Sequence, residues 1–245
     1  MVKLNHDVLV LASSSLNAIK DRELELRSLK IPRIENLAIT KDQHDTIDLS
    51  DNDIRKLENF PPMPRLKTLL LSNNRITRID ADCAKQLPNL HTLILTNNSI
   101  GELGDLDPLG EFANLEYLTL MDNPVTTRKY YRLYVIHRCP KVRVLDFRRV
   151  REAERTEAHE VFSGADGTAL AARLSAQKSI NTFEPGDLGE KKAARPYQAP
   201  SQEEQKKIRD AIAGAKSLDE ITRLEKSLRT GMVPGQGGKR KDRDD

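Results

Sequence analysis

Between Arg128 and Arg155 the chain places ten bases, Arg128, Lys129, Arg132, Arg138, Lys141, Arg143, Arg148, Arg149, Arg151 and Arg155, against Asp146, Glu152 and Glu154, a local excess of seven positive charges. Cations at that density suit contact with phosphate. Tyr130, Tyr131 and Tyr134 lie among them and read as packing residues of a cap. Just upstream the sign reverses: from Gly101 to Asp122 there are six acids (Glu102, Asp105, Asp107, Glu111, Glu116, Asp122) and no Lys or Arg. The whole chain is near balance, with Lys+Arg 40 against Asp+Glu 37. That excludes long-range coating of polyanions and leaves room for a directed contact. Other groups assemble no chemistry. Asp48, Asp51 and Asp53 crowd together without the Gly and distal Glu of a calcium loop, and are expected as solvent-facing turn residues. His6, His44, His91, His137 and His159 are scattered, Cys83 and Cys139 form no CxxC, and there is no Gly-rich phosphate loop. Asn97-Asn98-Ser99 matches a glycosylation acceptor but falls on a turn. No catalysis, cofactor or metal is expected.

The elements that position these residues come from a repeat. The pattern L-x-x-L-x-L-x-x-N-x-I recurs as Leu66, Leu69, Leu71, Asn74, Ile76, then Leu90, Leu93, Leu95, Asn98, Ile100, then Leu115, Leu118, Leu120, Asn123, Val125. Upstream, Ile47, Leu49, Asn52 and Ile54 make another unit, and Leu24, Leu26 and Ile31 a degenerate one. Downstream, Val142, Leu145 and Phe147 start a sixth that lacks the Asn. A period of this length marks a leucine-rich-repeat solenoid. In L-x-L the two leucines share one face of a short strand, and stacked units form a parallel sheet along a concave face. The Asn side chain satisfies backbone groups at the turn, so Asn52, Asn74, Asn98 and Asn123 form a structural column. Of 245 residues, 32 are leucine and 26 of those lie in the first 150, so the core is built in the front of the chain.

The expected class is α/β, with five to six repeats between helical caps. Residues 1–20 form an N-terminal capping helix, with Asn5 as N-cap and Val8, Leu11, Ser15 and Ile19 on one face. Residues 21–150 hold the repeats and a C-terminal cap. A helical extension over 151–176 is broken by Gly164-Ala165-Asp166-Gly167. Residues 177–200 carry Pro and Gly in linker proportion. Amphipathic helices with Ile208, Ile212, Leu218, Ile221, Leu224 and Leu228 occupy 201–230 and suit docking of another protein, followed by a tail at 231–245 with the basic triplet Lys239-Arg240-Lys241. No run is long and apolar enough to cross a membrane, no signal peptide is read, and the two cysteines fit a reducing compartment, cytoplasm or nucleus.

Strand positions between the leucines face away from the core. They are Thr46, Asp48, Ser50; Thr68, Leu70, Ser72; Thr92, Ile94, Thr96; and Tyr117, Thr119, Met121. Leu70, Ile94 and Met121 among small polar residues give an apolar centre with a polar rim, the composition of a protein interface. Asp48, Ser50, Leu70, Ser72, Ile94, Thr96, Tyr117, Thr119 and Met121 are the candidate partner-binding residues.

Several segments outside the repeat letters resemble one family. They are Met1-Val2-Lys3-Leu4, Arg22 to Arg27 (RELELR), Ile47 to Leu57 (IDLSDNDIRKL), Leu93 to Ile100 (LILTNNSI), Leu103 to Leu109 (LGDLDPL), and the cap Asn123 to Ile136 followed by Val142 to Phe147. Together they resemble the A-prime family of the U2 small nuclear ribonucleoprotein. The resemblance implies a non-enzymatic, nuclear spliceosomal adaptor. Its concave surface would grip an RRM-containing partner, the B-double-prime protein, and the pair would bind a stem-loop of U2 small nuclear RNA. Arg27, Arg128, Lys129, Arg148, Arg149 and Arg151 are the candidate RNA contacts, and other spliceosomal proteins could dock on the C-terminal helices. The alternatives are an intracellular repeat regulator of a protein phosphatase and a cytoskeletal adaptor.

Overall fold

A computed structural model of the protein describes residues 3–179. The helices expected over 201–230, the basic triplet at 239–241 and nearly all of the expected linker lie outside the described residues.

The described elements run α1 (His6–Leu11), β1 (Ser13–Leu16), β2 (Arg22–Glu25), β3 (Thr46–Asp48), β4 (Lys56–Leu57), β5 (Thr68–Leu70), β6 (Arg78–Ile79), α2 (Asp82–Gln86), β7 (Thr92–Ile94), β8 (Tyr117–Thr119), α3 (Tyr131–Arg138), β9 (Val144–Leu145), β10 (Arg148–Arg149), α4 (Glu152–Phe162) and α5 (Gly164–Ser175). Short 3-10 segments cover Leu37–Thr40, Leu103–Glu111 and Pro124–Thr127. One sheet has the order β1-β2-β3-β5-β7-β8-β9-β10, and β4 pairs with β6 in a small second one. From β2 to β9 neighbours are parallel, with the first leucine of each L-x-L in register: Leu24, Ile47, Leu69, Leu93, Leu118, Leu145. Those residues and their partners Leu26, Leu49, Leu71, Leu95 and Leu120 are buried in one continuous core.

The asparagine column does what its position requires. Asn98 Nδ2 donates to the carbonyls of Leu71 at 2.9 Å, Leu95 at 3.0 Å and Thr96 at 3.3 Å, while its Oδ1 accepts from Ile76 N at 3.0 Å. Asn52, Asn74 and Asn123 repeat the arrangement, each reaching one repeat back. A second column stands just before it. Ser28, Asp51, Asn73, Asn97 and Asp122 hold φ between 52° and 61°. Asn and Asp tolerate this left-handed region better than other non-glycine residues, which explains the D-N, N-N, N-N and D-N pairs in the sequence.

Three expectations about the ends are corrected. The capping helix spans only His6–Leu11, with Asn5 Oδ1 accepting from Val8 N at 3.0 Å as its N-cap, and the chain then turns into β1. Ser13-Ser14-Ser15 explains the change. Serine hydroxyls compete for helix backbone bonds, and β1 pairs antiparallel with β2, giving the first repeat a neighbour on its outer side. Leu9 is therefore the buried residue of the helix, while Leu11 and Ile19 are exposed. At the other end Phe147 does not enter the core. Asp146 and Phe147 both have positive φ and form the turn between β9 and the antiparallel β10, so the sixth unit closes as a hairpin and Phe147 is 72% exposed. Finally, the extension is two helices that break at Ser163, and Gly164 through Gly167 lie inside α5. Phe162 is buried there with its ring edge-on to Tyr134 at 5.8 Å.

Asp45, at the base of the open sheet face, is held by three donors: Arg22 N at 3.1 Å, Arg65 Nη2 at 3.1 Å and Lys67 Nζ at 3.2 Å. The Arg65 guanidinium, then the Arg22 amide and Lys67, hold its carboxyl down at about 2 against a burial that works the other way. A depressed carboxylate stabilises the fold at pH above its ordinary 3.8, and that contribution is lost as pH falls through 2. We therefore expect Asp45→Asn to be clearly less stable than the parent at pH 6 and to lose most of that deficit between pH 4 and 2, in thermal unfolding followed by circular dichroism.

Candidate functional site

Two surfaces meet at the C-terminal end of the sheet. The first is the sheet's open face, opposite the leucine core. The parallel register sets Asp48 beside Leu70, Leu70 beside Ile94 and Ile94 beside Thr119. Leu70 and Ile94 are half-buried, as are Ser72 and Thr96, while Tyr117 is 44% and Met121 40% exposed. These six present side-chain surface to solvent. Asp48, Ser50 and Thr119 do not, because all three are buried within the chain. Asp48 folds back so that its Oδ1 accepts from Ser50 N at 2.8 Å. Its neighbours Asp51 and Asp53 are not free turn residues either: Asp51 pairs with Arg27 at 2.6 Å and Asp53 with Arg75 at 3.1 Å. The apolar part of the face thus lies over β5 to β8, with exposed Phe147 beyond it.

A polar rail runs along one margin of this face, and sequence reasoning missed it. Arg27 Nε donates to Asp51 Oδ2, Asn73 Nδ2 to Asp51 Oδ1 at 2.6 Å, and Asn97 Nδ2 to Asn73 Oδ1 at 2.9 Å. The signal available was the polar residue before each column asparagine. The two hydrogen bonds hold the Asp51 carboxyl below the usual range.

The second surface is the basic end, where the ten bases separate into two groups. Arg128 pairs with Glu102 and also donates to Gly101 O at 3.1 Å. Arg132 pairs with Glu154 at 2.6 Å, Arg138 with Asp107 at 3.0 Å and Arg143 with Glu116 at 3.3 Å. Arg155 donates to the carbonyls of Pro140 and Val142 at 2.6 and 2.7 Å. Glu154 is held down at about 2, first by Arg132 and then by the Arg151 amide. Three of these pairs bridge the acidic block to the basic one across about one repeat length, a relation that the spacing contains. Lys141, Arg148, Arg149 and Arg151 are exposed and make no ion pair with the described residues. Lys129 Nζ lies 4.7 Å from the Tyr130 ring centre. Arg149 and Arg151 border two shallow hollows, one shared with Arg143 and Arg155, the other with Arg132 and Arg148. Of the six expected RNA contacts, Arg148, Arg149 and Arg151 therefore cluster without an ion pair among the described residues. Lys129 is exposed apart from them, and Arg27 and Arg128 are already committed within the chain. Tyr131 and Tyr134 are buried packing residues, as expected of a cap.

Among the described residues no group of three or more His, Cys, Asp and Glu could hold a metal ion, and no helix is long and apolar enough to cross a membrane. A leucine-rich-repeat family model matches residues 1–175. The human U2 small nuclear ribonucleoprotein A′ is 48% identical over 239 residues, spanning 96% of this chain and 91% of that one. The Caenorhabditis elegans and Arabidopsis thaliana relatives, a probable U2 small nuclear ribonucleoprotein A′ and a U2 small nuclear ribonucleoprotein A′, are each 46% identical over at least 96% of this chain. The chain belongs to the U2 small nuclear ribonucleoprotein A′ family. The fold agrees with the relationship. A crystal structure of the Drosophila melanogaster SNF/U2A′ complex matches with a TM-score of 0.68 at 48% identity, covering 71% of this chain and all of the matched one.

Proposed function

We propose that this protein is a non-catalytic, nuclear component of the spliceosome. Its open sheet face holds an RRM-containing partner of the B-double-prime type, and its basic end touches the backbone of the U2 small nuclear RNA stem-loop that the pair binds. The observation that carries this reading is the adjacency of two unlike surfaces on one rigid sheet. One is the apolar set Leu70, Ile94, Tyr117 and Met121; the other is the set Arg148, Arg149 and Arg151, without ion pairs among the described residues, at the sheet's last strand and just beyond it. An apolar centre with a polar rim suits a protein, and a cluster of exposed cations suits phosphate. Family membership and the likeness to a chain in the SNF/U2A′ complex support the assignment. An RRM stacks unpaired bases on its sheet aromatics, so base selection falls to the partner and grip plus backbone contact to this chain.

The test is the triple reversal Arg148→Glu, Arg149→Glu, Arg151→Glu, measured as RNA affinity of the heterodimer across a salt series. We expect weaker binding and a log K against log salt slope shallower by about 2 to 3, roughly one unit per lost phosphate contact. An unaltered slope overturns the RNA part of the proposal. Capture of the tagged chain from nuclear extract, followed by RNA extraction, should recover a single small nuclear RNA. Recovery of a phosphatase or of cytoskeletal protein without RNA overturns the assignment as a whole.

A further inference from the structure

The Leu103–Glu111 segment carries Asp105, which belongs to neither surface described above, and Asp107, which pairs with Arg138 at the basic end. Both face the chain leaving α5. Gly104 N donates to Gln177 O at 3.1 Å. A β-carbon at Gly104 would lie 2.3 Å from Ser175 O and 2.5 Å from Gln177 O, so only glycine lets residues 175–179 lie this close. Ser175 Oγ donates to the Asp107 carboxylate, and Ser179 Oγ donates to Asp105 Oδ2 at 2.5 Å, with Ser179 N at 3.2 Å from the same group. Residues 175–179 are thus a strap latched to an acidic row by two hydroxyls and a backbone bond. The two latches differ in surroundings. Asp107 also pairs with Arg138 at 3.0 Å and accepts from Tyr134 Oη at 2.6 Å, whereas Asp105 has no cation within ion-pairing distance among the described residues.

We infer that Ser179, with Ser175 as a weaker second site, is a phosphorylation site at which the modification unlatches the strap from Asp105 and Asp107. Each serine now presents a proton to a carboxylate. A phosphoserine carries a charge of about −1.5 to −2 near neutral pH and would set that charge against the same carboxylate. In the modification a protein kinase transfers the γ-phosphoryl group of ATP. The Oγ–P bond forms as the β–γ phosphoanhydride bond breaks, ADP leaves with the electron pair, and the hydroxyl proton passes to the kinase's base. The latched hydroxyls are engaged, so the kinase takes the strap in its open state, and the phosphate prevents its return. Phosphorylation therefore shifts an existing equilibrium. The effect is largest at Ser179, because no cation among the described residues pairs with Asp105.

The experiment uses the full chain carrying phosphoserine at 179 by genetic-code expansion, with hydrogen exchange of the Gly104 amide followed by NMR. We expect exchange at least tenfold faster than in the unmodified chain, with the Leu69 and Leu93 amides unchanged as a check on the fold. Ser179→Ala removes the hydroxyl bond without adding charge and should accelerate exchange only a few-fold. Asp105→Asn in the phosphorylated chain should restore most of the protection. Gly104 exchange within twofold of the unmodified chain, or no rescue by Asp105→Asn, overturns the charge mechanism. Incubation of the unmodified chain with nuclear extract and radiolabelled ATP should label the peptide containing Ser179; an unlabelled peptide overturns the site as a kinase substrate.

Discussion

Asn98→Ala is expected to lower the unfolding free energy by about 2 to 3 kcal/mol, a large share of the stability of an ordinary domain. The side chain is buried and makes four hydrogen bonds, three donated and one accepted, all to backbone. Alanine would leave the Ile76 amide without its acceptor, while the carbonyls of Leu71, Leu95 and Thr96 would lose one of two donors and keep Asn74 Nδ2, Asn123 Nδ2 and Asn73 N. An unsatisfied buried backbone group costs about 1–3 kcal/mol, which the Ile76 amide bears here, and the weakened carbonyl contacts add to it. The position also couples two repeats, because Ile76 and Leu71 belong to the preceding unit. In a stacked array each unit is stabilised by its neighbours, so loosening one central interface lowers the cooperativity of the whole. Urea denaturation should show a lower midpoint. Asn98→Asp tests the account separately: its carboxylate keeps the acceptor for Ile76 N and loses the donors, so it should be as destabilising as alanine or more so. A loss under 1 kcal/mol for Asn98→Ala would show that the column is not structural.

The double replacement Leu70→Lys, Ile94→Lys is expected to weaken capture of the RRM partner at least 100-fold while leaving the melting temperature within a few degrees. Both side chains are half-buried on the open face rather than in the core, so the cost to the fold is small. Lysine at 70 lies across from Asp48 in the register of β3 and β5, which offers the new charge a partner within the fold. Each lysine removes an apolar contact near the centre of the face and sets a charge in the desolvated interface, and a loss of about 1.4 kcal/mol at each of the two positions gives the stated 100-fold. Calorimetry with the partner alone, without RNA, isolates this surface from the basic end. Unchanged affinity would remove the open face from the assignment, and a collapse of the melting temperature would show that these residues belong to the core instead.

How much of this was legible depended on the range of the interaction concerned. The leucine ladder and the asparagine column are visible because each obeys a local rule that recurs every 22 to 27 residues, and recurrence multiplies a weak signal. The left-handed column of Asp51, Asn73, Asn97 and Asp122 was equally present in the letters. The fate of the bases was legible in kind and not in detail. Net charge identified the segment from Arg128 to Arg155, yet Glu102, Asp107, Glu116 and Glu154 neutralise Arg128, Arg138, Arg143 and Arg132. Three of those acids sit one turn of the solenoid earlier, so an acidic block followed by a basic one is in part a set of internal pairs. Asp48, Ser50 and Thr119 were placed on the right face by parity, but parity does not report burial.

The ends show the limit most clearly. Val8, Leu11, Ser15 and Ile19 have helical spacing, yet the chain leaves the helix after Leu11 because the first repeat needs a strand beside it. Phe147 has the letter of a core position, yet Asp146 turns the chain: its Oδ1 accepts from Leu120 N at 2.8 Å and its Oδ2 from Tyr131 Oη at 2.8 Å.

The sequence by itself determined the solenoid, its register, its leucine core and the apolar character of the open face, because a repeating unit makes each of these a nearest-neighbour property. Only the tertiary structure decided which arginines pair with acids among the described residues, how the two ends are closed, and that Ser175 and Ser179 latch onto Asp107 and Asp105 some 70 residues away. Those outcomes depend on groups meeting once, without repetition, and on the close approach that Gly104 allows. A pattern carries information about what recurs; a single contact is fixed by packing in three dimensions.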